Sequence, residues 1–250
     1  MTAAPAPAVR RVSAQALFDA KVLLSNSEQL LLTIVLPALL LVGLSRTSVI
    51  ALDAGGSSRI DVVAPGVLAL AVMSTAFTGQ AIGTAFDRRY GVLRMLATTP
   101  LGRDGLLAGK VVAVLAVIAV QVVVLGALAL ALGWRPAATG VVPALVAVFA
   151  GTAAFTALGL LLAGTVRAEA VLAGANLVWV LLVAGGGVVV PASSLPGPLD
   201  ALAPWLPSGA LGDAMRAALV EGAFDASGVL VLLVWAAAAT AGVRRWFQWS

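Results

Sequence analysis

The chain has 250 residues, of which 61% are apolar and only 10% charged, with a net charge of +4, no Cys and no His. Soluble domains carry about 25% charged residues, so this chain has too little polar material to wet a globular surface, and a mean hydropathy of +1.08 points to lipid as its solvent. The missing Cys and His exclude disulfides, thiolate nucleophiles and the usual zinc ligands.

Residues 1–26 contain no run long enough to cross a bilayer and no signal-peptide pattern. On a helical wheel over 10–24, Val12, Ala16, Leu17, Ala20, Leu23 and Leu24 fall on one side. Arg10, Arg11, Gln15, Asp19 and Lys21 fall on the other, with Phe18 and Val22 as exceptions. This pattern predicts an interfacial amphipathic helix over about 10–27, lying on the membrane; a loosely ordered tail is the alternative.

Six apolar runs follow, at about 29–46, 62–84, 106–133, 140–165, 170–190 and 227–243. Pro37 sits inside the first; in lipid such a Pro is tolerated because neighbours satisfy the carbonyl it frees. Residues 47–61 read as a polar loop and 191–226 as a segment too broken by Pro and Gly to span. The expected fold is therefore all-α, a single polytopic domain over 1–250 with six transmembrane helices. Six crossings put both termini on one side. With that side cytoplasmic, all Lys and Arg except Arg46, Arg59, Arg135 and Arg216 lie inside, while acidic residues divide almost evenly. The basic excess is thereby explained without nucleic acid.

No Asp, Glu, Lys or Arg falls in the middle third of any predicted span, which argues against an ion- or proton-coupled carrier. No nucleophile–base pair or metal-ligand set can be assembled, so no catalytic or cofactor-binding residue is expected. Gly105–Val111 superficially matches a phosphate loop, but the spacing is one residue short and Val111 stands where the magnesium-binding hydroxyl belongs.

The segment Phe86–Lys110 reads FDRRYGVLRMLATTPLGRDGLLAGK. Val92, Leu93, Met95 and Leu96 form a short apolar stripe flanked by Arg88, Arg89 and Arg94, Pro100 stops any helix near Thr99, and Asp104 is positioned to cap the third span. Physically this is either a short amphipathic helix that docks into a partner or a basic loop that only sets topology.

This segment resembles the signature of the type-2 ABC exporter permeases, the membrane subunits of drug, polysaccharide and lipid exporters. The matching positions are Asp87, Gly91, Leu93, Leu96, Thr99, Pro100, Leu101, Arg103, Gly109 and Lys110, with Asp87 in place of the commoner Glu and Val92 in place of Thr. The resemblance covers the whole chain. It extends to the N-terminal surface helix, to Pro37, and to Pro191, Leu195, Pro196, Leu199, Leu202, Pro207, Leu211 and Arg216, which fit two short re-entrant outer helices within about 191–224. Gly185–Gly187 just before them is a plausible bend.

The resemblance implies a non-catalytic permease subunit of an ATP-driven exporter in the cell membrane. It implies two ATPase subunits, which carry ATP and Mg, and a second permease, identical or paralogous. The loop over about 87–103 would be the ATPase-coupling element, with Asp87, Gly91, Leu93, Leu96, Thr99, Pro100 and Arg103 as its residues. A lateral path near the first, second and fifth spans makes Phe77, Gln80, Asn176 and Trp179 candidate substrate contacts. Asn176 and Trp179, three apart, share a helix face, and a polar group beside a large aromatic suits a hydrophobic or amphiphilic cargo. Gln121 reads first as an interhelical hydrogen-bonding residue, and Gly79-x-x-x-Gly83 as a close-packing face. The competing expectation is an ATP-independent secondary carrier or channel; a non-transporting scaffold is a third.

Overall fold

A computed structural model describes residues 6–25, 31–47 and 58–247; the expected polar loop before Ser58 and the start of the expected first span lie outside the described residues. Among the described residues the chain is all-helical, with no strand. Helix α1 spans Ala8–Ser25, and α2 spans Leu36–Arg46, entered through a π-turn at Leu31–Val35. One long helix, α3, runs Arg59–Arg89. After it come α4 (Val92–Ala97), α5 (Gly102–Ala131), α6 (Val141–Thr165) and α7 (Ala168–Gly185). Two short helices follow, α8 (Pro198–Leu202) and α9 (Pro207–Arg216), and then α10 (Ala226–Trp246).

Among the described residues five helical stretches are long and apolar enough to cross a membrane: Arg59–Arg89, Ala108–Ala131, Ala138–Thr165, Ala168–Gly185 and Ala226–Trp246. The expected first span is present as the shorter apolar helix Thr33–Arg46. At 1.5 Å per residue that stretch reaches roughly 20 Å, against about 30 Å of hydrocarbon. The second span also differs in extent from the expected 62–84. Its first turn takes in Arg59 and Asp61, because Ser58 and Asp61 close a capping box in which Asp61 Oδ2 accepts from the Ser58 amide at 3.1 Å.

Helix α3 is the core of the fold: 89% of its most apolar window is buried, against 17% for α7 and 33% for α5 and α10. Between Ile60 and Met73 it is apolar and buried on nearly every side, as a helix enclosed by other helices must be, whereas its last turns carry Gln80, Thr84, Asp87, Arg88 and Arg89. The outer faces of α5, α7 and α10 instead expose Val123, Leu177, Leu181, Leu230 and Val234, an apolar surface that only lipid or another membrane chain can cover. Close packing against α3 comes from α6: a Cβ at Gly159 would sit 2.7 Å from the Phe77 carbonyl oxygen. The Gly79-x-x-x-Gly83 motif does not serve that purpose. A Cβ at Gly83 would meet nothing within 4 Å, and both glycines line a cavity described below.

Pro37 has no amide hydrogen to give the carbonyl of Thr33, four residues back. Gln121 of α5, 1% exposed, donates its Nε2 to that Thr33 oxygen at 2.8 Å. Its Oε1 accepts from Thr75 Oγ1 at 3.0 Å, within the π-turn Ser74–Gly79 that interrupts α3. Gln121 thus ties three helices together, the structural role first expected of it.

At the opposite end from α4, helix α7 stops at Gly185 and Gly187 takes φ 68°, which reverses the chain. The segment that follows packs α9 against α3, α6 and α10. Arg216, 9% exposed, donates to the carbonyls of Gly187 (2.7 Å) and Val188 (3.0 Å) and pairs with Asp213 at 2.7 Å. One guanidinium thereby satisfies the backbone that the glycine turn leaves open.

Candidate functional site

The segment between α3 and α5 is built on two glycines in the left-handed region, Gly91 at φ 75° and Gly102 at φ 68°. Gly91 precedes α4, and a side chain there would be strained at any packing density. Pro100 keeps α4 to six residues, and Thr98 and Thr99 close its end by donating their hydroxyls to Met95 O (2.7 Å) and Leu96 O (2.6 Å). Six residues do not hold a helix by themselves; Leu93, 1% exposed, anchors this one in the body. The opposite side presents Tyr90 (72% exposed), Met95 (64% exposed) and Arg94. Thr99 and Pro100 are exposed, Leu96 is half-buried, and the Arg103 side chain lies outside the described residues.

Helix α5 begins at Gly102 with Leu101 as its N-cap, so Asp104 stands inside the first turn rather than capping it. Asp87 faces inward: its Oδ2 pairs with Lys110 Nζ of α5 at 2.7 Å, with the lysine side chain 10% exposed. The two flanks of the loop are thus joined by an ion pair whose members the sequence places 23 residues apart. On the other side, Arg88 donates to the Val166 carbonyl and Arg89 pairs with Glu169, both at the α6–α7 turn. The Arg89–Glu169 pair is exposed and adds little stability, but it fixes which turn lies beside α4. Arg88, Arg89, Arg94 and Arg167 surround a basic hollow of about 300 Å³ there. The end of α3 that leads into α4 is thus tied to α5 and to the α6–α7 turn.

Helix α1 packs on α5, burying Ala16 and Ala20. Its Gln15 meets the position where a Cβ on Gly109 would sit, at 3.0 Å. The expected apolar face is largely the buried one: Ala16 and Ala20 are buried, Val12, Leu23 and Leu24 are half-buried, and Leu17 (72% exposed) alone departs from it. Gln15 and Asp19, expected on the polar side, are half-buried as well. The reason is a partner distant in sequence: Lys110 attracts the Asp19 carboxylate, which also accepts from Gln15 Nε2 at 2.9 Å. Burial raises the Asp19 pKa above its ordinary 3.8, Asp87 adding to this while Lys110 and the Gln15 hydrogen bond oppose it.

The four candidate substrate contacts occupy different surroundings. Phe77, 3% exposed, belongs to the core. Gln80, 6% exposed, lines a cavity beside α1. Trp179 donates its indole N–H to Ser74 Oγ at 2.9 Å, packing α7 on α3. Asn176 is exposed and donates back to Leu172 O of its own helix at 2.9 Å. Sequence reasoning missed Asp19, Gln15 and Thr84, which join Gln80, Asp87 and Lys110 around that cavity. The available signal was Lys110 itself, a cation at the mouth of an apolar span in need of a carboxylate.

No curated protein matches the chain. Residues 47–243 match the family described as ABC-2 family transporter protein, an interval running from just after α2 to the last turns of α10. With its five long apolar helices and the α4 loop between the first two of them, the chain belongs to that family and is a multi-pass membrane permease component of an ABC transporter.

Proposed function

We propose that this permease is the membrane subunit of an ATP-driven exporter in the cell membrane and that the segment 87–103, centred on α4, is where its ATPase takes hold. The observation that carries the reading is the construction of the segment around α4: an exposed ridge of Tyr90, Arg94 and Met95, a helix anchored by Leu93, and a preceding flank tied through Asp87–Lys110 to α5 and through Arg89–Glu169 to α7. An element built only to set topology needs basic charge; it does not need a buried anchor or an ion pair such as Asp87–Lys110 holding its flanks together. Asp87 acts from within as a positioning residue, Gly91, Leu93, Leu96, Thr99 and Pro100 shape or present the ridge, and Arg103 is assigned to the coupling segment from the sequence.

In this reading the apolar helix Thr33–Arg46 belongs to a sixth crossing, and both termini are cytoplasmic, as the basic bias favours. Two ATPase copies, bearing ATP and Mg, serve this permease and a second one, identical or paralogous. The cargo is hydrophobic or amphiphilic, and Phe77, Gln80, Asn176 and Trp179 are the first residues to examine for contact with it.

The test is co-expression with the cognate ATPase and reconstitution. The wild-type chain gives a complex whose ATP hydrolysis and transport rise together. Gly91→Pro, or deletion of 92–98, keeps a folded permease but separates hydrolysis from transport. Normal coupled transport by both variants contradicts the coupling role. Gradient-driven flux from the chain alone, without ATP, contradicts ATP-driven export and favours a carrier.

A further inference from the structure

A cavity of about 390 Å³ opens between α1, α3, α4 and α5. Phe18, Val22 and Leu23 of α1 and Met95 and Leu96 of α4 give it an apolar wall. Asp19, Gln80, Thr84, Asp87 and Lys110 give it a polar floor. Buried polar groups are normally paired, and Asp87 and Lys110 pair with each other at 2.7 Å. Three other oxygens are not paired. Gln80 Oε1 and Thr84 Oγ1, on side chains 6% and 1% exposed, and Asp19 Oδ2 are buried without a hydrogen-bond partner in the protein.

All three can accept, and two of them can only accept. The floor carries two carboxylates against one ammonium, so one negative charge is left over. What is missing is a cationic donor. An alkylammonium group offers three N–H donors and one positive charge, matching three acceptors and the uncompensated carboxylate. A quaternary ammonium offers the charge without the donors, and an alcohol offers one donor without the charge. The apolar wall calls for a hydrocarbon or aromatic body behind the ammonium.

We propose that this cavity binds the primary ammonium group of an amphiphile, held by Asp19 Oδ2, Gln80 Oε1 and Thr84 Oγ1, with the apolar body of the ligand against α1 and α4. The desolvated state of the Asp19 carboxyl fits this, since a bound cation restores what burial removes. The site stands on these side chains alone and holds whether or not the amine is the molecule carried. Two sources share the chemistry: a cytosolic amine and the ethanolamine headgroup of a membrane lipid.

The test uses the full chain in phosphatidylcholine nanodiscs, with dansylcadaverine as probe, a primary ammonium on an environment-sensitive fluorophore. Empty nanodiscs give the bilayer background. Saturable binding is expected, weaker by about tenfold or more for the N-acetylated probe and for each of Asp19→Asn and Gln80→Leu, the loss expected when one charge-assisted or buried hydrogen bond goes. Leu130→Ala, on the exposed face of α5, binds as wild type. Melting curves identify any variant that fails to fold, in which case the other variant and the acetylated probe decide. Adding phosphatidylethanolamine to the nanodiscs weakens probe binding if the lipid headgroup is the natural occupant and leaves it unchanged if a soluble amine is. Equal binding of the acetylated probe, or unchanged binding by both folded variants, overturns the proposal.

Discussion

The Gln121 tie makes a quantitative claim about Pro37. Gln121→Met keeps the length and shape of the side chain but removes its donation to Thr33 O (2.8 Å) and its acceptance from Thr75 Oγ1 (3.0 Å). Interhelical hydrogen bonds in membrane proteins average about 0.6 kcal/mol and reach about 1.7. Two of them at a residue 1% exposed predict a loss of roughly 1–3 kcal/mol. About half of that loss belongs to the carbonyl that Pro37 leaves without its helical donor. Pro37→Ala supplies an amide for that carbonyl, so Gln121→Met costs less in the Pro37→Ala background. The double-mutant cycle should return a coupling of about 1 kcal/mol, above the few tenths expected of independent sites. Steric trapping in bicelles measures all four free energies. A coupling below about 0.3 kcal/mol refutes the idea that Gln121 compensates for the proline.

Other substitutions test the fold at separate points. Arg216→Lys cannot span two carbonyls and a carboxylate and should cost about 3 kcal/mol or more in an unfolding titration, nearly as much as Arg216→Ala. Gly159→Ala forces α3 and α6 apart against backbone at 2.7 Å and should lower stability by about 1–3 kcal/mol, whereas Gly126→Ala, with nothing within 4 Å, is neutral or stabilising. The raised pKa of Asp19 means that folding favours its protonated form. That contribution is complete below the ordinary value of 3.8 and is lost as pH rises through the higher folded value. Asp19→Asn should therefore melt higher than wild type at neutral pH, with the difference vanishing in acid; a lower melting temperature at neutral pH would mean that attraction to Lys110 outweighs burial.

Hydropathy carried most of this fold because the signal is physical: a helix in lipid needs a long apolar stretch, and each of the five long helices among the described residues has one. Pro100 and the glycines at 185–187 were legible for a similar reason, since each restricts or frees the backbone locally. Features that depend on a remote partner were not legible. The wheel put Gln15 and Asp19 toward solvent because it could not know that Lys110 lies across from them. Gly79-x-x-x-Gly83 is a packing motif only where a helix faces it, and here a cavity does. The π-turn at Ser74–Gly79 leaves no mark on a 3.6-residue period, though it is what aims Thr75 at Gln121 and Ser74 at Trp179. Of the residues proposed for coupling, Gly91 and Leu93 could be read locally, whereas the inward turn of Asp87 could not.

The central claim is that α4 is the element an ATPase grips, and the absence of Cys from the sequence permits a direct measurement. Single cysteines carrying a cleavable photo-crosslinker are placed at Met95, on the exposed ridge, and at Leu202, also exposed, at the opposite end. Adducts formed in native membranes are then identified by mass spectrometry. An ATPase with a phosphate loop should be captured from Met95→Cys and not from Leu202→Cys. Failure to capture an ATPase from Met95→Cys, or equal capture from both positions, would contradict the account.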